Sequence, residues 1–192
     1  MLPATRPPLR NGRPWWAYGA AIWSLVFAVR GVYWATGGTV GLGTLSQGIR
    51  DAAAAGDPQL YSALWITVAL EVIGIGIAVG LARGGGGQLT RAALALLGSG
   101  AGAVLAAHGA MFIGFGLAAI AQEQPVSTEL QWYALFWGPW FLLGGVVFLL
   151  AVRTHAKAGP RARLTRLARV AGLLGGLLAA AAPFVVSAVA GS

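Results

Sequence analysis

Three ionisable residues, Arg30, Glu71 and His108, lie inside long apolar stretches of this 192-residue chain. A cation, a carboxylate and an imidazole are costly in such surroundings, usually face the interior of a helix bundle, and mark candidate functional sites. An arginine can hold an anionic group, while a carboxylate and an imidazole can accept and release protons. Helical spacing puts Trp23, Phe27, Tyr33 and Trp34 on the side of Arg30. Thr67, Val68, Gly74 and Ile75 share the side of Glu71, and Met111, Phe112 and Phe115 that of His108. A fourth row, Tyr133, Trp137, Trp140 and Gly144, follows the same spacing. If these faces converge, they enclose an outward-facing chamber walled by rings and holding three polar groups. That is the composition of a ligand site, mostly apolar with a few placed polar groups.

Other chemistries are excluded or unsupported. The chain has no cysteine, which removes disulfides, thiolate metal sites and cysteine nucleophiles. Two histidines and five carboxylates show no zinc-type spacing, so neither a metal nor a cofactor is expected. The glycine run 84–87 lacks the Lys and Ser/Thr of a phosphate-cradling loop. No serine sits in a nucleophile-elbow pattern. The net charge of +8 comes from loops without interleaved aromatic residues, so nucleic acid is not a partner. His155 lies in a basic loop with no evident partner.

The elements that must position these residues follow from composition. Apolar residues make up 57% of the chain and charged residues 9%, against roughly 25% charged in an average soluble domain. The fold class is therefore all-α, a polytopic transmembrane bundle. Five segments approach the roughly 20 apolar residues needed to cross a bilayer: about 15–36, 60–82, 92–121, 130–152 and 170–190. A basic tail, 1–14, precedes a single transmembrane domain, 15–192. Arg13 followed by the run from Trp15 to Val29 reads as a signal-anchor helix, since no Ala-x-Ala cleavage site follows. The basic stretch Pro160 to Val170 reads as a loop on the inner side. Asp57-Pro58 is a helix start, Thr128 to Gln131 fits a capping box, and the four glycines should end the second helix. Pro139 and Pro183 fall inside spans, where kinks are tolerated.

Depth along the helices suggests which polar groups meet. Arg30 lies ~22 Å from the inner start of the first helix, His108 ~24 Å along the third, and Glu71 ~16 Å from the outer start of the second. Arg30 and Glu71 are therefore expected to pair, placing the second helix between the first and third. The cavity would lie among the first four helices, with Trp34 and Trp137 at its outer mouth. The fifth helix would pack peripherally. Plainer roles stand beside these: an ion pair that only ties two helices, an Arg30 that snorkels to headgroups, a His108 that only packs. Trp15, Trp16, Trp132 and Tyr133 suit an interfacial belt. Gly76/Gly80, Gly98/Gly102 and Gly172/Gly176 suit close helix contact, within the chain or in a homo- or hetero-oligomer.

Val32-Tyr33-Trp34-Ala35-Thr36-Gly37-Gly38 closes the first helix. This segment resembles the Trp-Ala-x-Gly-Gly signature of a family of small bacterial, actinobacterial-type multi-pass membrane proteins of unknown function. The resemblance implies several spans and brings no activity. The Arg- and Ala/Gly-rich composition also fits a bacterial cytoplasmic (inner) membrane.

Three functions fit. One is binding or transport of a small molecule, with Arg30, Glu71, His108, Trp34, Tyr33 and Trp137 as the ligand-binding set. A second is an intramembrane enzyme acting on a lipid or isoprenoid, with Glu71 as general acid. A third is a non-catalytic subunit of a larger complex. Membrane lipids are partners in all three. Eleven of thirteen basic residues fall in the tail and in the second and fourth loops, while Asp51, Asp57, Glu123 and Glu129 fall in the first and third. That segregation predicts an inner N-terminus and an outer C-terminus. Single cysteines placed at the two termini should react with an impermeant maleimide on opposite sides of the membrane; labelling from one side would overturn five spans.

Overall fold

The computed structural model describes residues 14–84, 86–122, 127–157 and 162–190, with only the backbone described at 157, 162 and 183–190. Residues 1–13 of the expected basic tail lie outside the described residues. Among those described, every regular element is helical. They are α1 (Trp15–Ala35), a short 3-10 turn (Leu42–Thr44), α2 (Gln47–Ala55), α3 (Pro58–Arg83), α4 (Gln88–Ala121), α5 (Thr128–Trp132), a π-helical turn (Tyr133–Trp137), α6 (Gly138–Lys157) and α7 (Ala162–Ala190).

Four of the five expected spans are helices long and apolar enough to cross a membrane: Pro58–Arg83, Gln88–Ala121, Thr128–Ala156 and Arg163–Ala182. α1 has the length, with 21 residues, but Arg30 and its many Trp and Tyr residues dilute its hydropathy. The last helix begins earlier than the apolar run, at Ala162, so Arg163, Arg166 and Arg169 form its first turns and not a separate loop.

Local chemistry explains the helix ends. Asp57 Oδ1 accepts from the Gln59 N–H at 2.8 Å, with Pro58 at the first helical position. Gly84 ends α3 in the left-handed region at φ 63°. The cap of α5 falls one residue before the expected box: Ser127 Oγ accepts from the Leu130 N–H at 3.2 Å. Pro139 does not break its helix. Its missing N–H would have bonded Leu135, and the preceding turn widens to π geometry instead, with the Gly138 N–H donating to the Tyr133 carbonyl five residues back.

The helices pack in the order α3, α1, α6, α4, α7. This corrects the expectation that the second span separates the first from the third: α1 lies between α3 and α6, and α4 between α6 and α7. α3 and α4 meet near their shared turn, where Gly80 faces Leu94 and Gly98 faces Leu81 and Ile77. Glycines override connection length here. A Cβ on Gly109 would lie 2.5 Å from the Gly138 carbonyl oxygen, and one on Gly176 would lie 2.5 Å from that of Gly100. These contacts let α4 approach α6 and α7 backbone to backbone. Gly98, Gly102, Gly172 and Gly176 are thus used inside the chain, while Gly76 has open space around it. α7, the expected fifth span, packs at the edge, against α4. At the opposite end from the α1–α2 loop, Arg91 donates to the His155 carbonyl at 3.2 Å and to Gly84 at 3.5 Å. One cation thereby serves the C-terminal ends of both α3 and α6.

Replacing Gly172 or Gly176 by Ala should destabilise the bundle by about 1–3 kcal/mol despite the better helix propensity of Ala. Gly175→Ala, at a position with nothing within 4 Å, should be neutral or stabilising. Reversible unfolding in detergent measures both; equal effects would contradict the packing.

Candidate functional site

Arg30 has three rings around its guanidinium. Its central carbon lies 3.7 Å from the Phe27 centroid, 4.2 Å from Trp34 and 5.0 Å from Trp137. Phe27 and Trp34 come from its own helix, one turn before and one turn after, as helical spacing requires. Trp137 comes from the π turn, where the widened backbone carries its ring to 6.2 Å from Trp34. All three aromatic side chains are buried. Cation–π attraction contributes about 2 kcal/mol or more at desolvated sites, which offsets part of the cost of placing a guanidinium here. Arg30 Nε is buried without a hydrogen-bond partner, so the rings are its main company.

Glu71 lies across the α1–α3 seam. Val68 packs against Gly31 and Gly74 against Ser24, so the antiparallel register sets Glu71 between them. The charges of Arg30 and Glu71 act on each other, yet no ion pair within 4.0 Å forms between them. The expected direct pairing is corrected to a longer-range one. The reason is local: Phe27 and Trp34 flank the arginine within one turn on either side, whereas the carboxylate must reach from another helix. His108 is not at that site. Its ring meets Phe112 at 5.4 Å and Phe141 at 5.8 Å and lines a groove between α4 and α7.

The ring-walled faces do converge, but the rings fill the centre. Phe27 stacks on Trp23 at 5.2 Å and meets Phe141 edge-on at 5.3 Å; Phe141 in turn meets Phe112. The Trp23 indole donates to the Trp140 carbonyl at 3.0 Å, and its ring covers Gly144. The expected open chamber among four helices is thus a packed aromatic core. Among the described residues no group of three His, Cys, Asp or Glu gathers to hold a metal.

The loop between α1 and α3 is strapped over this core. The Trp34 indole donates to the Val40 carbonyl at 2.8 Å, and the Trp137 indole to Thr44 Oγ at 3.2 Å, whose hydroxyl donates to Gly41. The Val40 N–H donates to the Tyr33 hydroxyl and the Ser46 N–H to the Tyr133 hydroxyl. The Gln47 N–H, at the start of α2, donates to a Glu129 carboxylate oxygen at 3.3 Å. Gly38 is required because the Tyr33 ring occupies the space a Cβ would need, and Gly37 turns the chain at φ 94°. Thr44 and Glu129 did not stand out as site residues in the sequence; Tyr133, taken as a belt residue, is a strap anchor.

A cavity of about 250 Å³ lies under the strap, between the ends of α1 and α3 and the inner side of α2. Trp34, Leu42, Leu45, Ile49, Tyr61 and Leu64 line it, with Arg50 as the charged residue among the lining side chains. Arg50 carries five N–H donors and gives one to the Leu45 carbonyl. Of the expected ligand-binding set, Trp34 lines this cavity. Tyr33 borders it through Gly38, Arg30 and Trp137 lie against Trp34, and Glu71 lies deeper along the seam.

Trp137→Leu should cost about 2–4 kcal/mol, as loss of a buried ring with its cation–π contact. In an Arg30→Met background that loss should shrink by about 0.5–2 kcal/mol. Strict additivity in the double-mutant cycle, read from detergent unfolding, would mean the rings do not hold the guanidinium.

The family model described as Protein of unknown function (DUF3995) matches residues 13–148. The matched stretch includes the Arg30 cage, the strap, the cavity under it and the first half of α6, and stops short of α7. No curated protein and no solved structure matches the chain. With well over half of its length covered, and with apolar helices suited to a membrane, the chain belongs to the DUF3995 family, whose function is unknown.

Proposed function

We propose that this is a five-span protein of a bacterial cytoplasmic membrane that holds a small amphiphilic molecule at its outer face, in the cavity under the strap. α1 serves as the first span, with the N-terminus inside and the C-terminus outside. Several features support that topology. α1 is about as long as the hydrocarbon core is thick, and it runs antiparallel to the apolar α3. Acidic Asp51, Asp57 and Glu129 gather at the strap end, while Arg83, Arg91 and Arg153 gather at the other.

The observation that carries the binding reading is the lining of the outer cavity. Mostly apolar side chains, with the Tyr61 phenol, the Thr39 hydroxyl and one guanidinium, suit a molecule with an apolar body and a single anionic or strongly accepting head. The packed aromatic core beneath favours binding over passage, because rings occupy the route between the helices. Catalysis by Glu71 has less support, since Glu71 does not line the cavity. An accessory-subunit role loses its main argument, because most of the glycine faces are used within the chain.

A dansyl-labelled medium-chain fatty acid is a suitable probe, because Trp34 in the cavity wall can transfer excitation to the dansyl group. Wild-type protein in nanodiscs should show saturable transfer. Arg50→Met should weaken binding by about ten-fold or more, the loss of a hydrogen bond to a charged group. Leu64→Trp should fill the cavity and remove saturable binding. Unchanged saturation in both variants would reject the cavity as the site.

A further inference from the structure

The position of His108 points to a second, independent site on the other side of the bundle. α4 and α7 run parallel and touch backbone to backbone where Gly176 meets Gly100 and Gly172 meets Leu96. Beyond that contact lies a groove of about 290 Å³, lined by Ala107, His108, Met111, Leu177, Ala180 and Ala181. Both helices belong to membrane-spanning candidates. Leu174, Leu178 and Phe115 beside the groove are exposed, so in a bilayer it faces hydrocarbon.

In that groove His108 is the polar member of an otherwise apolar lining. A neutral imidazole carries one N–H donor and one acceptor nitrogen. Its ring neighbours are Phe112 and Phe141, which supply neither a conventional donor nor an acceptor. Neither ring nitrogen of His108 makes a hydrogen bond to another described residue. In hydrocarbon there is no water to satisfy such a group, and leaving it without a partner is costly. The depth narrows the choice of partner. His108 shares a level with Phe141 and, through it, with Phe27, which lies ~12 Å along α1 from its strap end; that is below the level of charged or zwitterionic headgroups, and no charged side chain lines the groove.

We propose that this groove binds a membrane-dissolved molecule with an apolar body and a neutral oxygen head, held at that oxygen by His108. A long-chain alcohol and a quinone carbonyl share this chemistry. The site does not depend on the outer cavity: it lies on α4 and α7, whereas the cavity belongs to α1, α2 and α3, and α6 stands between.

The test uses the full chain in phosphatidylcholine nanodiscs with a diazirine-bearing long-chain alcohol as the probe. Photolysis followed by peptide mapping should place the label on the segments around Met111 and Leu177, saturably. His108→Phe, which keeps a ring but no hydrogen-bonding nitrogen, should raise the half-saturating concentration by about ten-fold, the worth of one hydrogen bond. His108→Gln, which restores a donor and an acceptor, should recover much of that affinity. Ala180→Phe should fill the groove and abolish the label. Competition by unlabelled hexadecanol alone assigns a hydroxyl head, and competition by decylubiquinone alone a carbonyl head; either supports the proposal. Failure of both to compete, or labelling of His108→Phe and Ala180→Phe equal to wild type, would overturn it.

Discussion

A guanidinium set within a helix of this bundle needs surroundings that tolerate its charge, and here those surroundings are aromatic. Phe27 and Trp34 flank Arg30 on its own helix, and Trp137 arrives from the π turn before α6. Much else follows from that arrangement. The indole N–H groups of Trp34 and Trp137 reach the loop between α1 and α2, where they bond Val40 and Thr44. The same rings that receive the charge therefore also anchor the strap. The π turn has two consequences as well: it accommodates Pro139 and brings Trp137 to its place.

α6 divides the bundle into two kinds of packing. Toward α1 it presents Trp137, Trp140 and Gly144, and the contact is ring on ring and ring on glycine. Toward α4 it presents Gly138 and Gly145, and the contact is backbone on backbone. Ring packing fills space and closes the centre of the molecule. Glycine packing brings α4 close to α6 and α7, and α4 and α7 part beyond Gly176 to leave the groove at His108. The strap cavity and the His108 groove thus lie at the margins of a dense core.

That distribution bears on function. A transport path needs a centre that can open, and a centre of interlocked rings would have to move many side chains together. Binding at the margins needs no such motion. The family match embraces the cage, the strap and the cavity under it, but ends before α7. The strap cavity is therefore built from the part of the chain that defines the family, while the groove also uses a helix beyond it.

Periodicity, hydropathy and capping chemistry are local, and they sufficed to find the long helices, the Asp57–Pro58 start, the Gly84 stop and the aromatic side of Arg30. They also placed Trp137, Trp140 and Gly144 on one face, which lies against α1, whereas Tyr133, at the other end of the π turn, meets Phe112 of α4. Tertiary structure decided which faces meet. Apolar spacing says that a face is covered but not by which helix, so the order of α1, α3 and α4 followed from where glycines admit a neighbouring backbone. It decided that Arg30 is held by rings, with Glu71 at longer range, because helical spacing gives the depth of a side chain and not its distance across a seam. It decided that His108 faces a groove with α7. It also joined Thr44 to Trp137 and Gln47 to Glu129, which lie 93 and 82 residues apart. Nothing in either segment encodes the other, because such bonds arise when the fold brings a donor and an acceptor into reach.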